Sequence, residues 1–104
     1  MIRQFDVFRN PIRTGREDRP YVVSLQHSHL DELRSRVVAP LVCERIIRPG
    51  ERLTPRVIVR NEPLYLLPTE IVTLATRYLQ TPITNLEDDR CQIVDALDMM
   101  FLGI

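Results

Sequence analysis

The sequence predicts a mainly β fold, a small barrel of short strands completed by one C-terminal α-helix. Two observations carry this expectation. Between Gln4 and Leu67, short apolar or alternating runs recur at close spacing and are separated by turns rich in Pro, Gly and charge. That spacing suits hairpins of a barrel and leaves no room for βαβ units. From Asn85 the period changes: Leu86, Ile93, Leu97, Met100 and Ile104 recur at spacings of three, four or seven, with Asp88, Gln92 and Asp95 on another face. This is one apolar helical stripe.

Taken in order, Gln4 to Arg9 alternates, with Phe5, Val7 and Arg9 on one side and Asp6 and Phe8 on the other, as in a first strand. Asn10 to Arg19 combines Pro, Gly and charges and reads as a hairpin loop. Tyr21 to Leu25 is a β-branched return strand apolar enough to be buried on both faces. The polar segment Gln26 to Arg36 follows. Val37 to Ile47 is the longest apolar stretch of the first half, and Pro40 within it predicts a bulge or a sheet edge, because proline has no N–H to give a ladder. After a Pro49-Gly50 turn, Leu53 to Arg60 is a further strand, Asn61-Glu62-Pro63 turns the chain, and Leu64 to Leu67 pairs back. Glu70 to Tyr78 carries both helical spacing and β-branched residues; a strand or short turn feeding Thr81-Pro82 is expected.

The helix is expected to start at Asn85, which can cap it, with Glu87, Asp88 and Asp89 at the positive end of its dipole. Gly103 fits a C-cap position. Met99, Met100, Phe101, Leu102 and Ile104 around it are too many apolar residues for one packed face, so the tip is expected to meet a second surface.

The whole chain, residues 1–104, is expected to be one domain, large enough for a core without disulfides or metals. Its N-terminus lacks an apolar signal region and no run approaches the length of a membrane span, which points to a cytoplasmic protein with no membrane partner. Cys43 and Cys91 form no CxxC pair and are expected to be reduced, packing thiols. Every basic residue is arginine, and net charge is zero, yet residues 1–60 hold 12 Arg against 7 acids and residues 61–104 hold 2 Arg against 7. The N-terminal half therefore offers donors for carboxylate or phosphate, against the plainer reading of a solvated mixed surface.

Catalytic motifs are absent. Three glycines cannot build a phosphate-cradling loop, and no HExxH, GxSxG or CxxC occurs. His27, His29 and Asp31 could share a face as metal ligands, but two imidazoles and one carboxylate lack a further ligand and read better as surface loop residues. Ser24, His27 and Asp31 have no spacing that demands a hydrolytic triad. No catalytic residue, cofactor or metal is expected, and the apolar tip beside acids points to a protein that acts by binding.

At that tip, Asp95 to Ile104, DALDMMFLGI, resembles the closing segment of the CcdB toxins of toxin–antitoxin modules. The resemblance extends through QFDVF at Gln4 to Phe8, a strand followed by Gln26, VVAPL at Val37 to Leu41 with Arg45 after it, and LTPRVIV at Leu53 to Val59. It implies an SH3-like small barrel of the CcdB/MazF toxin type, an antiparallel sheet with a small added three-stranded sheet and the C-terminal helix, assembled as a homodimer. It further implies that the protein binds the DNA gyrase A subunit and traps its covalent complex with cleaved DNA. A CcdA-type antitoxin would neutralise it through a disordered acidic segment, and operator DNA would be met only indirectly, through that antitoxin. By position, the family's closing Trp-Gly-Ile falls at Leu102, Gly103 and Ile104, its Ile-Ile loop pair at His29 and Leu30, a helix Glu at Arg90 and a helix Asn at Asp98. The missing tryptophan leaves a second reading: a CcdB-fold protein that binds antitoxin and regulates its operon without poisoning gyrase. A third, ranked last, follows from the related MazF and Kid toxins, which cleave RNA; it needs a basic groove, for which Arg13, Arg16 and Arg19 are the candidates, although a solvated hairpin explains them better.

Overall fold

The computed structural model describes residues 2–27, 34–47 and 52–104. Among these, the strands are β1 (Asp6–Arg9), β2 (Tyr21–Ser24), β3 (Ser35–Val42), β4 (Arg56–Val59), β5 (Glu62–Leu66), β6 (Val72–Ala75) and β7 (Thr84–Asn85), followed by the helix α1 (Arg90–Leu102). All seven strands join one antiparallel sheet in the order β4-β5-β3-β2-β1-β7, with β6 also pairing β3. This curled sheet is nearly closed, a small barrel with one C-terminal helix, as expected.

The two-residue period of the strands builds two apolar layers. Val7, Val23 and Ala39 are aligned across β1, β2 and β3 and enter the main core with Phe5, Leu41, Val57, Val59, Leu64, Leu66, Leu86 and Ile93. The alternate residues Phe8, Val22 and Val38 point to the opposite side and form a second cluster with Leu79. Both faces of the central strands are therefore covered, which is why Tyr21 to Leu25 reads as an apolar run.

Pro40 does not make an edge or a bulge. Its strand β3 is central, and the ladder to β2 runs without slippage from Tyr21 opposite Leu41 to Ser24 opposite Val38. The Pro40 carbonyl accepts from the Leu67 N–H at 3.0 Å, so its nitrogen faces the same side, where the partner of β3 changes from β6 to β5. Proline thus occupies the one stretch of that side where no ladder N–H is needed. The change of partner is made by the 3₁₀ turn Pro68–Glu70, which lets one chain run along β3 twice, first as β5 and then as β6.

The turn between β4 and β5 lies at Arg60 and Asn61, one residue before the predicted Asn61-Glu62-Pro63. Both residues have positive φ, 51° and 67°, the two-residue turn whose twist matches paired strands, and Glu62 and Pro63 already belong to β5. The 70–78 segment resolves into β6 and the 3₁₀ turn Thr76–Tyr78. The apolar 37–47 stretch likewise ends as a strand at Val42 and continues as a 3₁₀ turn at Glu44–Ile46.

Helix α1 begins at Arg90 and not at Asn85. Asn85 closes β7 instead, donating from Nδ2 to the Gln4 carbonyl and to Asp6 Oδ1, both at 2.9 Å, while its Oδ1 accepts from the Glu87 N–H at 2.8 Å. This contact leads the chain into the 3₁₀ turn Glu87–Asp89, an entry turn that sequence periodicity does not separate from the helix.

Candidate functional site

Helix α1 is anchored at its base. Leu86, just ahead of it, and Ile93 and Ala96 within it are buried in the main core, and Leu97 packs against the same cluster. At the entrance Phe5, fully buried and held at φ 69°, is gripped on both sides: its N–H donates to Ser24 O at 2.6 Å and its carbonyl accepts from Leu86 N–H at 2.9 Å. A bulky residue adopts that conformation only where its surroundings fix it. Arg90 lies over the Phe5 ring, 5.3 Å from its centroid, and donates to Gln4 Oε1 at 3.0 Å.

Beyond Met100 the helix leaves the body. Phe101, Leu102 and Ile104 are 68, 67 and 70% exposed, so Ile104 departs from the buried stripe predicted for it. Gly103 ends the helix in the left-handed conformation, φ 72°, its N–H donating to Met99 O at 3.0 Å. The predicted C-cap is thus present. Beneath Phe101 an apolar groove of about 270 Å³ is lined by Leu25, Gln26, Val37, Ile71 and Leu97. Along the outer side of α1, Arg90, Val94, Asp98 and Leu102 follow one another four residues apart, and Arg90, Cys91, Val94, Asp95 and Asp98 line a shallow groove of about 370 Å³. At 1.5 Å per residue, Arg90 and Leu102 stand roughly 18 Å apart on this row.

Among the described residues, Arg52 restrains the tip. Arg52, on the β3–β4 connection, donates from Nε and Nη2 to the two oxygens of Asp95 at 2.6 and 2.7 Å, and from Nη2 to the Ile104 main-chain oxygen at 2.6 Å. This fork holds the Asp95 carboxyl below its ordinary range, and Asp95 in turn raises the Arg52 guanidinium. Such a pair is solvent-exposed at both ends, so it orients more than it stabilises.

The arrangement is an apolar tip on an anchored helix, flanked by Asp98. It is suited to insertion into a partner's pocket. Residues 4–103 match the family model described as CcdB protein. The chain belongs to the CcdB family. Membership places it among the toxins of toxin–antitoxin modules. Among curated proteins the chain finds no match.

Within this CcdB chain the carried-over residues divide by position. Leu102, Gly103 and Ile104 stand together at the tip, Asp98 is one turn before them, and Arg90 is at the far end of the same row. His29 and Leu30 lie outside the described residues, as does Asp31. Of the residues considered for a triad or metal site, Ser24 is fully buried with no hydrogen-bond partner for its hydroxyl and His27 is exposed; no group of three metal-ligating side chains occurs among the described residues. Cys43 packs on the core, where burial pushes its thiol up, but Cys91 is exposed on the helix and does not pack. The Arg13, Arg16, Arg19 group also divides, since Arg19 forks onto Glu70 at 2.7 and 2.8 Å and lines a different groove from Arg13 and Arg16. No helix of the described residues is long and apolar enough to cross a membrane. Arg52 escaped sequence reasoning because 43 residues separate it from Asp95 and no local spacing records the pair.

Proposed function

We propose that this toxin acts as a homodimer that binds the A subunit of DNA gyrase through the apolar tip of α1, trapping the gyrase–DNA cleavage complex. A CcdA-type antitoxin neutralises it. The observation that carries the reading is the family match combined with the outward projection of Leu102, Gly103 and Ile104 past the last core contact. A protein that binds one state of an enzyme more tightly than the others accumulates that state, so poisoning needs no chemistry from the toxin. Leu102 and Ile104 enter an apolar pocket, each contributing about 1.5–3 kcal/mol when fully buried. Asp98, Arg90, His29 and Leu30 complete the contact set. The groove under Phe101 suits a second copy of the chain, and the arginines of residues 1–60 suit an acidic antitoxin segment, through which operator DNA is reached.

One feature favours the second reading, a regulator that binds antitoxin without poisoning gyrase. Leucine at position 102 lacks the flat face with which tryptophan stacks on a guanidinium. The two are separated by a cleavage assay with supercoiled plasmid, ATP and gyrase of the source organism, followed by detergent and protease. Accumulation of linear DNA is expected; its absence with a folded protein leaves the regulator.

A further inference from the structure

Where strand β1 ends, the hairpin loop and the turn after β6 enclose a cleft of about 380 Å³, distinct from the helix tip: among the described residues, none of α1 lines it. Phe8, Arg9, Asn10, Pro11, Arg13 and Arg16 form one wall, and Arg77, Tyr78, Gln80 and Thr81 the other. Four arginines, Arg9, Arg13, Arg16 and Arg77, line the cleft, and among the described residues no carboxylate or imidazole does. Elsewhere the arginines that meet acids do so in pairs, Arg19 with Glu70, Arg45 with Asp18, Arg52 with Asp95 and Arg90 with Glu87. Among the described residues, Arg9, Arg13, Arg16 and Arg77 pair with none. In a chain of zero net charge, this is a local concentration of uncompensated positive charge.

The walls are built. Asn10 is buried and uses its whole amide on the loop, donating from Nδ2 to Arg19 O at 2.8 Å and accepting at Oδ1 from the Ile12 N–H at 3.0 Å. Its carbonyl accepts from Arg16 Nε at 2.8 Å, which sets that guanidinium at the cleft. Opposite, Leu79 is buried beside Phe8 in the second cluster and fixes the turn that carries Arg77 and Tyr78. The Arg77 guanidinium carbon is 4.8 Å from the Tyr78 ring centroid, and Tyr78 is more than half exposed.

The geometry points to a binding site for a free nucleotide bearing two or more phosphates. Guanidinium forks match phosphate oxygens two by two, and four of them exceed what a single carboxylate needs. The volume is that of a small-molecule pocket and too compact for an extended acidic peptide. The exposed Tyr78 ring offers a flat surface on which a base can stack. With no general base in the lining, the site binds and does not hydrolyse.

Calorimetric titration of the full chain at low salt tests this with ADP, inorganic pyrophosphate and a hexaglutamate peptide. ADP is expected to bind saturably and more tightly than the other two, and to weaken as salt is raised. The exposed pair Arg9→Gln/Arg77→Gln is expected to weaken ADP at least about tenfold, and Tyr78→Ala to weaken ADP about tenfold while leaving pyrophosphate unchanged. Arg13→Gln serves as an independent variant should the pair fail to fold, with a similar direction expected. Absence of saturable ADP binding, ADP binding unchanged in a folded arginine variant, or hexaglutamate or pyrophosphate binding as tightly as ADP, each overturns the proposal.

Discussion

At Ile93 and Ala96 helix α1 has no accessible surface, whereas two turns further on Phe101, Leu102 and Ile104 are about two-thirds exposed. Both regions are apolar, and all of these residues but Ile104 lie on one helix. What separates them is what the rest of the chain places opposite. The base shares the main core with Phe5, Val7, Val23 and residues of β4 and β5, while among the described residues the tip meets Arg52 and a shallow groove. Apolar residues that the fold leaves uncovered are what the proposed partner contact requires, and the core contacts that hold the same helix nearby keep their cost to stability low.

The comparison is broken most strongly at the base. Ile93→Ala should cost about 2–5 kcal/mol in urea or thermal unfolding, since the surrounding strands cannot collapse into the space. Leu102→Ala should change the same quantity by less than about 0.5 kcal/mol. Gly103→Ala comes next. No atom lies within 4 Å of the added methyl, so the penalty is conformational only, about 1 kcal/mol for φ 72°. It should appear as fraying of the last turn, seen as faster amide exchange at Gly103 with no change at Ile93.

The two forked ion pairs sharpen the contrast further. Arg19–Glu70 ties the hairpin loop to the turn before β6, in the body, and Arg52–Asp95 ties the tip. In both, the hydrogen-bonded arginine holds the carboxyl below its ordinary value. A depressed folded-state value stabilises at neutral pH and is lost as pH falls through that value, below about pH 4. Glu70→Gln should therefore lower stability at pH 7 by under about 1 kcal/mol, and its difference from the parent should vanish in acid. Arg52→Ala should leave the unfolding midpoint nearly unchanged and speed exchange at the tip; a large fall in stability would show that the tip is part of the core after all.

Much of this was legible in the sequence. Alternation in β1 sorted Val7 from Phe8, whereas β2 and β3, apolar on both faces, showed that they were covered twice but not which of Val22, Val23, Val38 and Ala39 entered which layer. The apolar excess at residues 99–104 announced the exposed tip. Other features escaped because they depend on pairing between distant segments. Pro40 reads as an edge until β5 and β6 are seen to exchange places beside it, and Asn85 reads as a helix cap until Gln4 and Asp6 claim its amide. The arginines could be counted from sequence, but only folding shows which of them meet acids and brings Arg9 and Arg77 to one cleft.

The most direct test takes Leu102→Asp through two measurements on one preparation, thermal unfolding and gyrase-dependent plasmid linearisation. The account predicts a melting temperature close to that of the parent with linearisation abolished. Linear DNA formed as before, or a melting temperature lowered as far as that of Ile93→Ala, would contradict it.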